Sequence, residues 1–120
     1  MKFLRDLALA FLVFAAGFAV STVSVARGDE PRVIPVTAKR FAFEPAEIQV
    51  AKGENVVLEV TSQDVTHGFF SRKLGFDEDL PQGKTVRVPI KTDTAGTYTV
   101  LCDHYCGSGH GGMKMTVVVQ

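Results

Sequence analysis

From residue 33 onward, apolar and polar side chains alternate in short runs separated by Gly, Pro, Asp and Asn, which is the period of strands with one buried face. Residues 33–38 and 40–43 are short β-rich runs, and 47–50 alternates before the turn residues Lys52-Gly53. Within 55–61, Val56, Leu58 and Val60 share a face, and 84–90 repeats the pattern with Val86, Val88 and Ile90. Residues 96–102 set Tyr98 and Val100 against Thr97, Thr99 and Leu101, and 113–119 put Met113, Met115, Val117 and Val119 on one side. Residues 71–80 come nearest to a helical period, but Gly75 interrupts them and Pro81 follows. The pattern predicts an all-β Greek-key sandwich of about seven short strands over residues 33–120. A domain of this size buries only ~60–65% of its unfolded surface, so a bound metal would add appreciable stability.

Ahead of the strands the pattern changes. Residues 7–20, LALAFLVFAAGFAV, carry no charge, and Lys2 and Arg5 precede them. That start, the apolar run and the small residues from Ser21 to Ala26 predict a signal peptide over 1–26, with 27–32 a short polar leader. The uncharged stretch 7–25 also approaches the ~20 residues that span a bilayer, so an uncleaved anchor is the alternative. Either reading expects a periplasmic or other extracytoplasmic domain, with membrane association only through the N-terminus. Lys plus Arg and Asp plus Glu both number 13 in the 120 residues, a balance that argues against nucleic acid as a partner. Small molecules, metals and proteins remain.

An exported chain makes a disulfide the default for two cysteines. Here that default has a competitor, because all three His (His67, His104, His110), both Cys (Cys102, Cys106) and two Met (Met113, Met115) fall in the predicted domain, and all but His67 lie between 102 and 115. Thiolate, thioether and imidazole suit copper, whereas Mg²⁺ or Ca²⁺ would want carboxylates that this loop lacks apart from Asp103. Zinc is an alternative, although Met is not one of its usual ligands and the paired two-residue Cys spacing is missing. His67 ends the segment Asp64-Val65-Thr66-His67, and loops that meet at one end of a sandwich let it complete a site built mainly on another loop. Gly107, Gly109, Gly111 and Gly112 interleave with His110 and Met113, as a loop needing positive φ and close backbone approach would require.

His67 followed by Cys-x3-Cys-x3-His-x2-Met resembles the cupredoxins that carry a dinuclear CuA centre, as in subunit II of haem–copper cytochrome oxidases and the C-terminal domain of nitrous oxide reductase. Phe41-Ala42-Phe43-Glu44-Pro45, Ile48-Gln49-Val50-Ala51-Lys52-Gly53 and Gly96-Thr97-Tyr98-Thr99-Val100-Leu101-Cys102 extend the similarity over roughly 33–119. The resemblance implies that Cys102 and Cys106 bridge two coppers and that His67 and His110 each terminate one. It also implies Met113 as a weak ligand to one copper and the carbonyl of His104 as a weak ligand to the other. Oxidase subunits usually carry Glu where this chain has His104.

The function expected from this resemblance is one-electron transfer, with redox proteins such as a c-type cytochrome or an oxidase as partners. No paired carboxylates or nucleophile–base pair stand out, so catalysis by the chain on its own is not expected. The absence of Trp and of a visible N-terminal helical hairpin favours a free-standing or singly anchored domain. Three other readings stay open: a carrier that delivers Cu(I), with His104 and Met115 as extra ligands; a mononuclear blue-copper site of His67, Cys106, His110 and Met113; and a secreted sandwich with a Cys102–Cys106 disulfide. Met115 alternates with Val117 and Val119 and is expected in the core.

Overall fold

The computed structural model describes residues 30–120; the expected signal peptide, and the leader up to residue 29, lie outside the described residues. Nine strands and one short 3₁₀ turn make up the described chain: β1 (Arg32–Lys39), β2 (Ala42–Glu44), β3 (Glu47–Val50), β4 (Val56–Ser62), β5 (His67–Ser71), β6 (Phe76–Leu80), β7 (Thr85–Ile90), β8 (Gly96–Leu101), the turn at His110–Gly112, and β9 (Lys114–Val119). They form two sheets, ordered β2-β1-β4-β7 and β3-β9-β8-β5-β6. Two pairs are parallel, β1 with β4 and β3 with β9, and the rest are antiparallel. This is the all-β sandwich that the alternation predicts. Among the described residues no helix is long and apolar enough to cross a membrane.

The faces follow the sequence pattern closely where a strand has one wet side: Val88 and Ile90 of β7, Val100 of β8, and Met115, Val117 and Val119 of β9 are buried. Met115 is thus a core residue. Val56, Leu58 and Val60 of β4 are buried too, but so is Val57 on the other face. Two strands depart from the expected seven. β5 is buried at four of its five positions, so it shows no alternation, and β6 is Phe76-Asp77-Glu78-Asp79-Leu80, whose acidic centre lies on a sheet edge. Charge along an edge strand discourages pairing with other chains and hides the strand from a hydrophobicity scan. The expected strand over 40–43 also shifts: Arg40 and Phe41 form a turn, and β2 begins at Ala42.

Phe69 of β5 is the aromatic centre of the core. Its ring meets Phe43 edge-on at 5.3 Å and stacks on Phe76 at 5.0 Å, joining the two sheets beneath the end where the histidine and cysteines gather. The donor end of β5 is therefore fixed from below by aromatic packing. Replacing Phe69 by Ala should lower unfolding stability by about 3–5 kcal/mol, read as a lower denaturant midpoint at unchanged slope.

Candidate metal centre

β8 ends at Leu101 and β9 starts at Lys114, and the segment between them carries five of the six candidate donors. The two strands pair over their whole length, from Gly96 opposite Val119 to Leu101 opposite Lys114, which fixes both ends of the segment. The Cys102 amide then donates to the Met113 carbonyl at 3.2 Å and closes the loop. Within it His110 N–H donates to Gly107, Gly112 N–H to Gly109, and Met113 N–H to His110. His67 arrives separately, as the first residue of β5.

These two pieces bring the soft donors together. His67 Nδ1 and the Sγ atoms of Cys102 and Cys106 lie within 4.8 Å of one another, and all three residues are buried. The two Sγ atoms are 3.8 Å apart, both thiols are free, and a disulfide would need them at ~2.05 Å. Each sulfur has its own imidazole, His67 Nδ1 at 3.9 Å from Cys102 and His110 Nδ1 at 3.7 Å from Cys106. Each also has one weaker donor: the His104 carbonyl stands 3.2 Å from Cys102 Sγ, and Met113 Sδ stands 3.8 Å from Cys106 Sγ. The His104 imidazole points elsewhere, exposed, with Nδ1 3.1 Å from the Tyr105 carbonyl. Five of the six candidates thus converge through their side chains, and His104 through its backbone.

The environment tunes these groups. His67 is fully buried, and its Nε2 lies 2.7 Å from Asp64 Oδ1. Burial acts to raise the Asp64 carboxyl, but hydrogen bonds from the Arg40 N–H, from His67 and from the Val65 N–H outweigh it and bring it down to about 2. A carboxylate only accepts, so Nε2 donates to Asp64, and Nδ1 is the ring nitrogen that faces Cys102. Burial, followed by the neighbouring Cys102, pushes the Cys106 thiol up to about 11. Without metal Cys106 is therefore a neutral thiol at pH 7, and uptake of a cation must displace its proton. Burial and then the Asp77 carboxylate likewise raise Asp103 beside Cys102.

Sequence reading missed four contributors: Asp64, which orients His67; Gly68; and Arg40 and Phe41, which touch the loop. The spacing Asp64-x-x-His67 before an apolar run was the available signal for the first. Gly68 N–H points at Cys102 Sγ at 3.4 Å, and a Cβ on Gly68 would meet Asp103 Oδ1 at 2.0 Å and the His104 amide nitrogen at 2.6 Å. The loop glycines divide differently from the expectation. Of the four, Gly107 alone takes positive φ, at 138°, whereas a Cβ on Gly111 or Gly112 would meet nothing within 4 Å. A depression of about 230 Å³ lies beside Cys106, lined by Arg40, Val65, Thr66, His104, Tyr105 and Gly107, with Tyr105 73% exposed at its rim. The larger one, about 290 Å³ between β5 and β8, touches no donor residue.

A sandwich of this topology with soft donors gathered at one end defines a class of protein, and comparison with known proteins bears it out. The model of the cupredoxin-like domain matches residues 8–119, and the chain belongs to that family. It is 32% identical over 96 residues to cytochrome c oxidase subunit 2 of Thermus thermophilus, spanning 80% of this chain and 71% of the relative. Nitrous-oxide reductase of Cupriavidus necator is 27% identical over 100 residues, 80% of this chain but 16% of that protein. Among solved structures, a haem–copper terminal oxidase dimer determined by cryo-EM superposes with a TM-score of 0.68 at 26% identity, covering 74% of this chain and 65% of that one. The chain is thus a cupredoxin-like domain homologous to oxidase subunit 2 and to nitrous-oxide reductase, and its His67, Cys102 and Cys106 cluster fits a CuA-type site.

The contrast among glycines is testable in the metal-free protein. Gly68→Ala should cost about 1–3 kcal/mol, because the backbone at Asp103 and His104 must move. Gly111→Ala should stay within about 0.5 kcal/mol of the parent. Chemical denaturation of the two variants measures the difference.

Proposed function

We propose that the chain is an extracytoplasmic one-electron carrier whose centre holds two copper ions, in the setting of a terminal oxidase or its cytochrome partners. Copper supplies a reversible one-electron couple when bound. The observation that carries the reading is the near-symmetry of the donors around the two sulfurs. Cys102 has the His67 imidazole and the His104 carbonyl; Cys106 has the His110 imidazole and the Met113 thioether. One thiol, two imidazoles and a thioether would serve a single ion, so a second buried thiol 3.8 Å away, with a further donor of its own, argues for two.

The donor chemistry fits copper better than the alternatives. Two thiols and a thioether are soft, imidazole is intermediate, and the centre offers no carboxylate oxygen for a hard cation. Once deprotonated, the two thiolates neutralise much of the charge of a metal pair in a buried site where unbalanced charge would be costly. The residues around them hold the donors still. Asp64 fixes the His67 ring and its tautomer, Gly68 N–H faces Cys102 Sγ, and the closed loop fixes Cys106, His110 and Met113. Little change of donor position between redox states favours fast electron exchange. Electron transfer is the chain's role by itself, and any catalysis belongs to the complex it serves.

Copper titration of the full chain, with metal analysis and electron paramagnetic resonance, tests this reading. The expected result is two coppers per chain and one unpaired electron shared equally between both nuclei. Cys102→Ser should abolish that signal, whereas His104→Gln should leave the stoichiometry at two. One copper per chain, with Cys102→Ser nearly silent, would select the mononuclear site instead. Ready loss of copper to a Cu(I) chelator of moderate affinity, with slow oxidation of a reduced c-type cytochrome, would favour copper delivery.

A further inference from the structure

We propose that the Arg40-Phe41 turn between β1 and β2 is a positioning clamp that holds the His67 side and the Cys106 side of the centre at a fixed separation. The clamp deepens the metal reading and rests on it for its purpose, although its contacts exist in the metal-free chain.

The need for such a clamp comes from the sheet. His67 begins β5, while Cys102 and Cys106 follow β8, and these two neighbours pair at a single position, Phe70 opposite Leu101. The ladder between the two donor-bearing strands is therefore short. β8 and β9, by comparison, pair at six positions and keep the loop closed on itself. Beyond that rung Gly68 packs only on the start of the loop, at Cys102 to His104, so the Cys106 half needs a tie of its own.

Arg40 and Phe41 reach both sides from the opposite sheet. The Arg40 amide donates to Asp64 Oδ2 at 2.7 Å, and the other oxygen of that carboxylate holds His67 Nε2. The Arg40 side chain donates from Nε to the Cys106 carbonyl at 2.8 Å. One residue thus bonds to the group that orients His67 and to the backbone of Cys106. Next to it, the Phe41 ring packs closely on the loop at Gly107 and Gly109. A Cβ on Gly109 would sit 2.4 Å from the ring, and one on Gly107 would sit 2.8 Å from it. Gly109 has φ −91° and ψ 5°, a conformation open to any residue, so the ring and not the backbone torsion requires glycine there. This packing also accounts for a large apolar side chain left 37% exposed at the surface.

Amide hydrogen exchange on the full metal-free chain tests the clamp directly. Arg40→Met keeps the aliphatic stem and removes the Nε donor, and Phe41→Ala removes the ring; both residues are at the surface, so the fold should persist. Each variant should speed exchange at His110, Gly112 and Met113 about five- to ten-fold, with β1 and β4 amides unchanged. Release of copper from the loaded variants to a Cu(I) chelator should rise by a similar factor at unchanged stoichiometry. A double-mutant cycle separates clamping from general loosening. Gly109→Ala should speed loop exchange in the parent, where the methyl meets the ring, and change it less than about two-fold beside Phe41→Ala. Loop exchange within two-fold of the parent in both Arg40→Met and Phe41→Ala, or an equal Gly109→Ala effect in both backgrounds, overturns the clamp. Failure of the parent chain to take up copper overturns the metal reading, and the exchange measurements still decide the clamp.

Discussion

The Cys102 amide donates to the Met113 carbonyl, and the rest of the centre depends on that closure. It sits directly beyond the last rung of the β8–β9 ladder, so the strands deliver both ends of the loop to one place and the hydrogen bond keeps them there. Cys102, Cys106, His110 and Met113 then have a short closed path of backbone in which to converge. A longer or open loop would have to order those side chains against chain entropy each time a metal bound. Here the folded sandwich has already met that cost.

Building the loop this way leaves one donor to be supplied from elsewhere, and the fold solves that by burial. His67 starts a strand whose next two residues are also buried, and Phe69 anchors it in the aromatic core between Phe43 and Phe76. Its ring cannot swing outward, and Asp64 fixes which nitrogen faces the sulfurs. The Asp64 hydrogen bond satisfies one ring nitrogen of this buried imidazole, and the other faces the buried thiols at a distance too long for a strong contact. The arrangement makes sense as a donor set assembled in advance.

Much of this was legible in the sequence, for reasons that also mark where it stopped. Strands with one wet face, such as the run ending in Val119, announce themselves by alternation. β5 does not, because both of its faces are covered, and β6 does not, because Asp77-Glu78-Asp79 masks an edge strand. The candidate donors were readable because soft-ligand residue types cluster between 102 and 113, and His67 because it lies between an apolar strand and Phe69-Phe70. The supporting contacts were hidden, since Arg40 is 66 positions from Cys106 and meets it only through the fold. Glycine meaning was half legible: close approach holds at Gly68 and Gly109, but positive φ holds among the loop glycines only at Gly107.

The central claim is that the sandwich holds the donors in one arrangement whatever the metal's presence or redox state. High-resolution crystal structures of the metal-free, copper-loaded oxidised and copper-loaded reduced chain test it most directly. The account predicts that the Sγ atoms of Cys102 and Cys106 and the Nδ1 atoms of His67 and His110 coincide within about 0.5 Å across the three states. A rearrangement of loop 102–113 by more than about 2 Å between any two of them would contradict it.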